Sequence, residues 1–112
     1  MNLLDLQADF NQAYSFDEIK KNSIKTLEEL IANSENNYLH EEEEKLPSGL
    51  KFKDYIISYT YTEIMINNEY RLYPFFRISL DLVHPKTKKS EFYYDIEYTI
   101  DGEFSDEFFS NY

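Results

Sequence analysis

Two alternating runs between Phe75 and Ile100 constrain this chain most. Phe76, Ile78, Leu80 and Leu82 recur at every second position in the first, and Phe92, Tyr94, Ile96, Tyr98 and Ile100 do so in the second. Arg77, Ser79 and Asp81, then Glu91, Asp95, Glu97 and Thr99, fall between them, so each run has one apolar and one largely polar face. That period is the mark of a half-buried strand. The link His84-Pro85-Lys86-Thr87-Lys88-Lys89 joins a proline to three lysines, which suits a solvated connection between adjacent antiparallel strands. A sheet of this kind has one apolar face to fill.

The N-terminal third supplies amphipathic material for that face. Leu3, Leu6, Phe10 and Ala13 predict a helix over about 2–14. Ser15-Phe16-Asp17-Glu18 has the form of a capping box and predicts a second helix over 16–33, with Ile24, Leu27 and Ile31 as its stripe and Ile19 and Leu30 beside it. Asn33 to Asn37 favours a break, because these side chains compete for backbone hydrogen bonds. Further strands are expected over 52–66 and 69–83, with the third over 90–100. The parity change at Ile64 and Ile66 suggests a bulge near Thr62-Glu63 or the end of regular pairing. Asn67-Asn68 and Asp101-Gly102 are turn signals, and Pro74 marks a bulge or an edge position. After a possible short strand through Phe104, the spacing of Phe104, Phe108, Phe109 and Tyr112 favours a short C-terminal helix. The expected fold is α+β: one domain over 1–112, with two N-terminal helices packed on one face of a three- to four-stranded antiparallel meander.

Composition narrows the chemistry. The chain has no cysteine, so disulfides, zinc thiolates and thiol nucleophiles are excluded. Two glycines, Gly49 and Gly102, are too few for a phosphate-cradling loop. His40 beside Glu41–Glu44 invites a metal reading, but consecutive Glu side chains radiate around the backbone and do not converge on one ion. The stretch Asp101-Gly102-Glu103 with Asp106 and Glu107 has calcium-loop composition, yet its glycine stands in the wrong place. No nucleophile signature accompanies His84, and Asp81 with Glu91 makes only a chance pair among lysines. Neither catalysis, nor a cofactor, nor a metal is expected.

The charge distribution says more. Net charge is −11, which argues against nucleic acid and anionic membranes as partners. Residues 1–45 hold eleven acids and four bases, residues 46–90 four acids and seven bases, and residues 91–112 seven acids and no base. Both ends are acidic around a mildly basic middle. Tyr93, Glu97, Asp101, Glu103, Asp106 and Glu107 lie along the third strand and beyond it, and Glu41, Glu42, Glu43 and Glu44 form a second acidic segment. Such surfaces suit a basic protein, with Tyr93 as an anchor, although acids on an open sheet face also deter aggregation. The N-terminus lacks a signal-peptide pattern and no apolar run spans a bilayer, so a cytoplasmic location is expected.

The phrase Tyr93-Tyr94-Asp95-Ile96-Glu97-Tyr98-Thr99-Ile100-Asp101-Gly102-Glu103-Phe104-Ser105-Asp106-Glu107-Phe108-Phe109 resembles the closing strand and turn of small bacterial immunity proteins. These accompany polymorphic or contact-dependent growth-inhibition toxins. The resemblance implies an inhibitor of one cognate toxin domain, often a basic nuclease, whose active or substrate-binding surface it blocks. Alternatives are an acidic nucleic-acid mimic that blocks a DNA-binding protein, and a small-ligand binding domain lined by aromatics. A homodimer through a Tyr- and Ile-rich edge strand is a further expectation.

Overall fold

The structure, a computed structural model that describes residues 1–112, begins with helix α1 (Leu3–Ala13). The Asn2 side-chain oxygen accepts from the Asp5 amide at 3.0 Å, and the Asp5 carboxylate accepts from the Asn2 amide at 3.1 Å. This reciprocal cap satisfies donors that the first turn leaves free. Helix α2 (Phe16–Ala32) follows after Tyr14 and Ser15 alone. The capping box expected at Ser15 is not formed: the tight reversal holds Ser15 in the left-handed region (φ 50°, ψ 64°), and its hydroxyl makes no cap bond. Its carbonyl accepts from the Glu18 and Ile19 amides instead. Ile19, Ser23, Leu27 and Ile31 form the buried stripe of α2, one residue per turn.

The chain then breaks at Ser34–Asn36, makes the short helix α3 (His40–Glu44), and runs through 3₁₀ turns at Pro47–Gly49 and Phe52–Asp54. Phe52 was expected in a strand and lies instead in the last of these turns. Its amide donates to Glu43 Oε2 at 2.8 Å, and the Lys51 amide donates to Asp54 Oδ2 at 2.8 Å, so neither is free for a ladder.

The sheet comprises β1 (Ile56–Met65), β2 (Phe75–Val83), β3 (Ser90–Tyr98) and β4 (Phe104–Asn111) in the order β1-β2-β3-β4, every pair antiparallel. β4 replaces the expected C-terminal helix. Phe108 pairs with Asp95 and Phe109 with Tyr94, so the two rings point to opposite faces. β2 begins at Phe75, six residues later than the sequence suggests; residues 66–74 form a loop in which Asn67 is left-handed (φ 54°) and Pro74 has no amide to donate. The bulge in β1 lies at Thr60, not at Thr62-Glu63, where the register shifts between Tyr59 and Tyr61. Thr60 Oγ1 donates to the Ser79 carbonyl at 2.9 Å. Tyr61 thereby turns away from the helices while Thr62 and Ile64 turn toward them.

The helix-facing side carries cross-strand rows such as Tyr59, Leu80, Tyr94, Phe109 and Ile64, Phe76, Tyr98, Phe104. Leu80, Leu82, Ile78, Tyr94 and Ile96 are fully buried against Leu27, Leu39 and Phe52. Each side chain of this size contributes roughly 1.5–3 kcal/mol by leaving water. The Ser23 and Tyr98 hydroxyls meet at 2.6 Å and join α2 to β3. α1 packs more lightly: Phe10 meets Phe76 edge-to-face and Tyr14 lies tilted against it, while Leu3 and Leu4 stay exposed. No helix is long and apolar enough to cross a membrane.

Candidate protein-binding surface

The core draws on the helix-facing side of the sheet alone. The helices leave the opposite side free; at one end the β1–β2 loop lays the Arg71 guanidinium 3.9 Å from the centre of the Phe75 ring, and in the middle Ser79, Asp81 and Asp95 are buried among their neighbours. Its cross-strand rows read Ser58, Asp81, Tyr93, Ser110; then Tyr61, Ser79, Asp95, Phe108; then Glu63, Arg77, Glu97, Asp106. Strand pairing therefore collects acids from all four strands on one surface.

Glu97 is not a free charge on that surface. Its carboxylate is buried, accepting from Arg71 Nη2 at 2.7 Å and from Arg77 Nε at 3.1 Å. Burial pushes its pKa up, but hydrogen bonds and charge from Arg71 and Arg77 outweigh that and hold it below the usual carboxylate range. Arg77 also lies 4.5 Å from the centre of the Phe108 ring. This knot fixes the β1–β2 loop to the sheet.

At that same end, the loop and the β3–β4 turn meet. Tyr70, Leu72, Tyr73 and Pro74 from the loop, with Thr99, Ile100 and Ser105 from the turn region, line a shallow cleft of about 270 Å³. Leu72 is 87% exposed and Tyr70 86%, with Tyr73, Ile100 and Phe104 also open to solvent. Asp101, Glu103 and Asp106 are exposed around them. Large apolar side chains left in water within an acidic rim make this end a candidate docking surface. Tyr70, Leu72 and Tyr73 fall within the strand expected over 69–83 and so do not stand out in the sequence; Pro74 and the paired Asn67-Asn68 are the signals of a longer loop.

The remaining sequence candidates fall in different places. Tyr93 is half-buried on the open side, its ring 5.4 Å from that of Tyr112. Glu107 sits on the helix-facing side, where it accepts from the Tyr94 hydroxyl. Burial and the Glu107 carboxylate push the Tyr94 and Tyr38 hydroxyls well above the usual range. On α3, Glu43 turns inward to accept from Ser34 Oγ at 2.8 Å as well as from the Phe52 amide. Glu42, Glu44 and Glu41 are all exposed, Glu42 beside Lys45 and Glu44 beside His40. His84 Nδ1 accepts from the Lys86 and Thr87 amides at 3.0 and 3.1 Å and so holds the β2–β3 connection. No group of three or more His, Cys, Asp or Glu is arranged to hold a metal ion.

No family model matches the chain, and neither curated proteins nor solved structures give a match. The reading of function therefore rests on this surface.

Proposed function

We propose that this protein is an immunity protein that binds a basic toxin domain, of the nuclease kind, and blocks its active or substrate-binding surface. The observation that carries the reading is the acid-rimmed apolar end of the sheet, where exposed Leu72, Tyr73 and Ile100 stand among Asp101, Glu103 and Asp106. Aromatic and aliphatic groups there supply the contact that excludes water, and the acids steer a positively charged partner toward it. A nuclease must expose positive charge to hold phosphates, so complementarity is built into that pairing. Glu97, held by Arg71 and Arg77, supports the surface without joining the contact, and Glu107, bonded to Tyr94 on the helix-facing side, takes no part in it.

The test is protection together with binding. Co-expression with a basic toxin domain encoded beside this protein should restore growth, and the purified pair should form a near-equimolar complex whose association slows as salt is raised. Charge reversal at Asp101 and Glu103 should slow association and leave the fold intact. Absence of protection by the wild-type protein would sink the reading, and an association rate indifferent to salt would remove its electrostatic half.

A cleft of about 690 Å³ between α1 and β1, lined by Leu3, Leu6, Phe10, Tyr59, Ile64 and Ile66, favours a second reading as an apolar-ligand binder. A library of hydrophobic small molecules that left the melting temperature unmoved would dismiss it.

A further inference from the structure

The centre of the open sheet face is built differently from its apolar end. Asp81 and Asp95 stand on neighbouring strands one row apart, with Ser79 beside them and Glu63 on β1 in the next row. Asp95 keeps 9% of its surface and Asp81 6%, and no hydrogen-bond donor reaches Asp95 Oδ1. Asp81 accepts from the Tyr112 hydroxyl. The cation of these rows is Arg77, and its guanidinium is committed to Glu97 and Phe108. Asp81, Asp95 and Glu63 thus lie in adjacent rows around this centre, and Arg77, the cross-strand neighbour of Glu63, is engaged by Glu97. Tyr61 and Tyr112, 50% and 64% exposed, form its rim together with the half-buried Tyr93.

We propose that this centre receives the guanidinium group of an arginine presented by the binding partner. The inference rests on the proposed function in taking the arginine to be the toxin's. Its chemistry follows from what the site lacks and what surrounds it. The orphaned Asp95 oxygen lacks a donor and the Asp81 carboxylate, held by the Tyr112 hydroxyl, has lone pairs to spare; a guanidinium brings several donors in one plane and accepts none. Tyrosine rings at the rim offer faces on which a planar, weakly hydrated cation stacks. Lysine would bring charge in a smaller, more strongly hydrated head that cannot bridge two carboxylates in the same way. The titration behaviour agrees: burial above all pushes Asp95 up, Glu63 and Asp81 add to it, and the Ser79 hydroxyl and the Arg77 charge offset only part of the rise.

The test uses the isolated protein and small probes. Backbone amide NMR shifts would be followed during titration with N-acetyl-arginine amide, N-acetyl-lysine amide and the neutral isostere N-acetyl-citrulline amide. Saturable shifts confined to Ser79, Asp95, Tyr61 and their neighbours are expected with the arginine probe, weaker ones with lysine and none with citrulline. Asp95→Asn should weaken the arginine probe roughly tenfold, the order of loss when a charged acceptor becomes neutral, while Asp17→Asn, at an exposed acid on α2, should leave it unchanged. Non-saturating shifts spread equally over Glu41 and Asp101 would overturn the proposal, as would equal binding of citrulline or an unaffected Asp95→Asn variant. Arginine binding by a protein that protects against no toxin would leave the receptor standing and remove the immunity reading. A toxin complex formed with undiminished affinity by Asp95→Asn would do the reverse.

Discussion

Glu97 and Asp95 lie two residues apart on the same face of β3 and have opposite electrostatic roles. Glu97 has its pKa lowered from the ordinary 4.5 by Arg71 and Arg77, so folding favours its ionised form. Its contribution is complete above that ordinary value and is lost as pH falls through the lower folded value. Glu97→Gln should therefore destabilise the protein at neutral pH by about 2 kcal/mol, the scale of hydrogen bonds to a charged group. The deficit should shrink in acid, as denaturant melts at several pH values would show. Asp95 has its pKa raised from 3.8, so its ionised form is penalised by folding. The stabilising influence of its proton is full below the ordinary value and fades as pH rises through the folded value. Asp95→Asn should therefore gain stability at neutral pH, on the order of 1 kcal/mol, and the same melts should show that gain vanishing in acid. A destabilised Asn variant at pH 7 would mean that Asp95 has a partner in the folded protein.

Among the elements, the β3–β4 turn and the β1–β2 loop separate stability from binding. Gly102 stands at φ +77°, and a Cβ there would meet Tyr14 Cδ1 at 3.3 Å. Tyr14 also donates its hydroxyl proton to the Ile100 carbonyl at 2.7 Å, so turn and α1 are fitted to each other. Gly102→Ala should cost about 1 kcal/mol or more in a denaturant melt, because both the backbone strain and the contact oppose it. The loop behaves in the opposite way. Leu72 and Tyr73 are exposed, so Leu72→Ser and Tyr73→Ser should shift stability by no more than about 0.5 kcal/mol. The same two changes should weaken the toxin complex by roughly tenfold or more each if they are its anchors, measured by calorimetry. Undisturbed affinity in both would place the contact elsewhere on the sheet.

The whole molecule grades from a firm centre to a loose margin. β2 and β3 lie inside the sheet and carry most of its fully buried side chains, whereas α1 has no buried residue. Native-state hydrogen exchange should accordingly be slowest in β2 and β3 and fast in the first turns of α1, where opening uncovers little apolar surface. Equal protection in α1 would show that Phe10 and Tyr14 anchor it more firmly than their contacts with Phe76 suggest. β1 and β4 are the sheet edges, and β1 carries Ile64 and Tyr61 in exposed positions. Association of two copies through β1 would appear as a dimer in size-exclusion chromatography at high concentration, while a monomer there would leave the edge to other partners.

Local signals in the sequence settled much of the fold. The period of two in residues 76–82 and 92–98 placed β2 and β3 and their faces, and the period near four placed α1 and α2, because burial against one side imposes those repeats on any sequence. Asp101-Gly102 likewise announced its turn, since a positive φ suits glycine. What failed locally was decided by contacts distant in sequence. Phe104 to Tyr112 has helical spacing, yet the open edge of β3 offers a ladder of hydrogen bonds that an isolated short helix cannot match. The acids of residues 91–112 looked equivalent in the chain. Tertiary structure divided them: Glu97 went to Arg71 and Arg77, Glu107 to Tyr94, Asp95 to a buried centre where one of its oxygens lacks a donor, and Asp101, Glu103 and Asp106 to solvent. The sequence by itself determined that this would be an acidic α+β sheet protein, because composition and periodicity are local properties. Which of its charges are free to meet a partner was decided only by the pairing of strands, which sets the neighbours each carboxylate has.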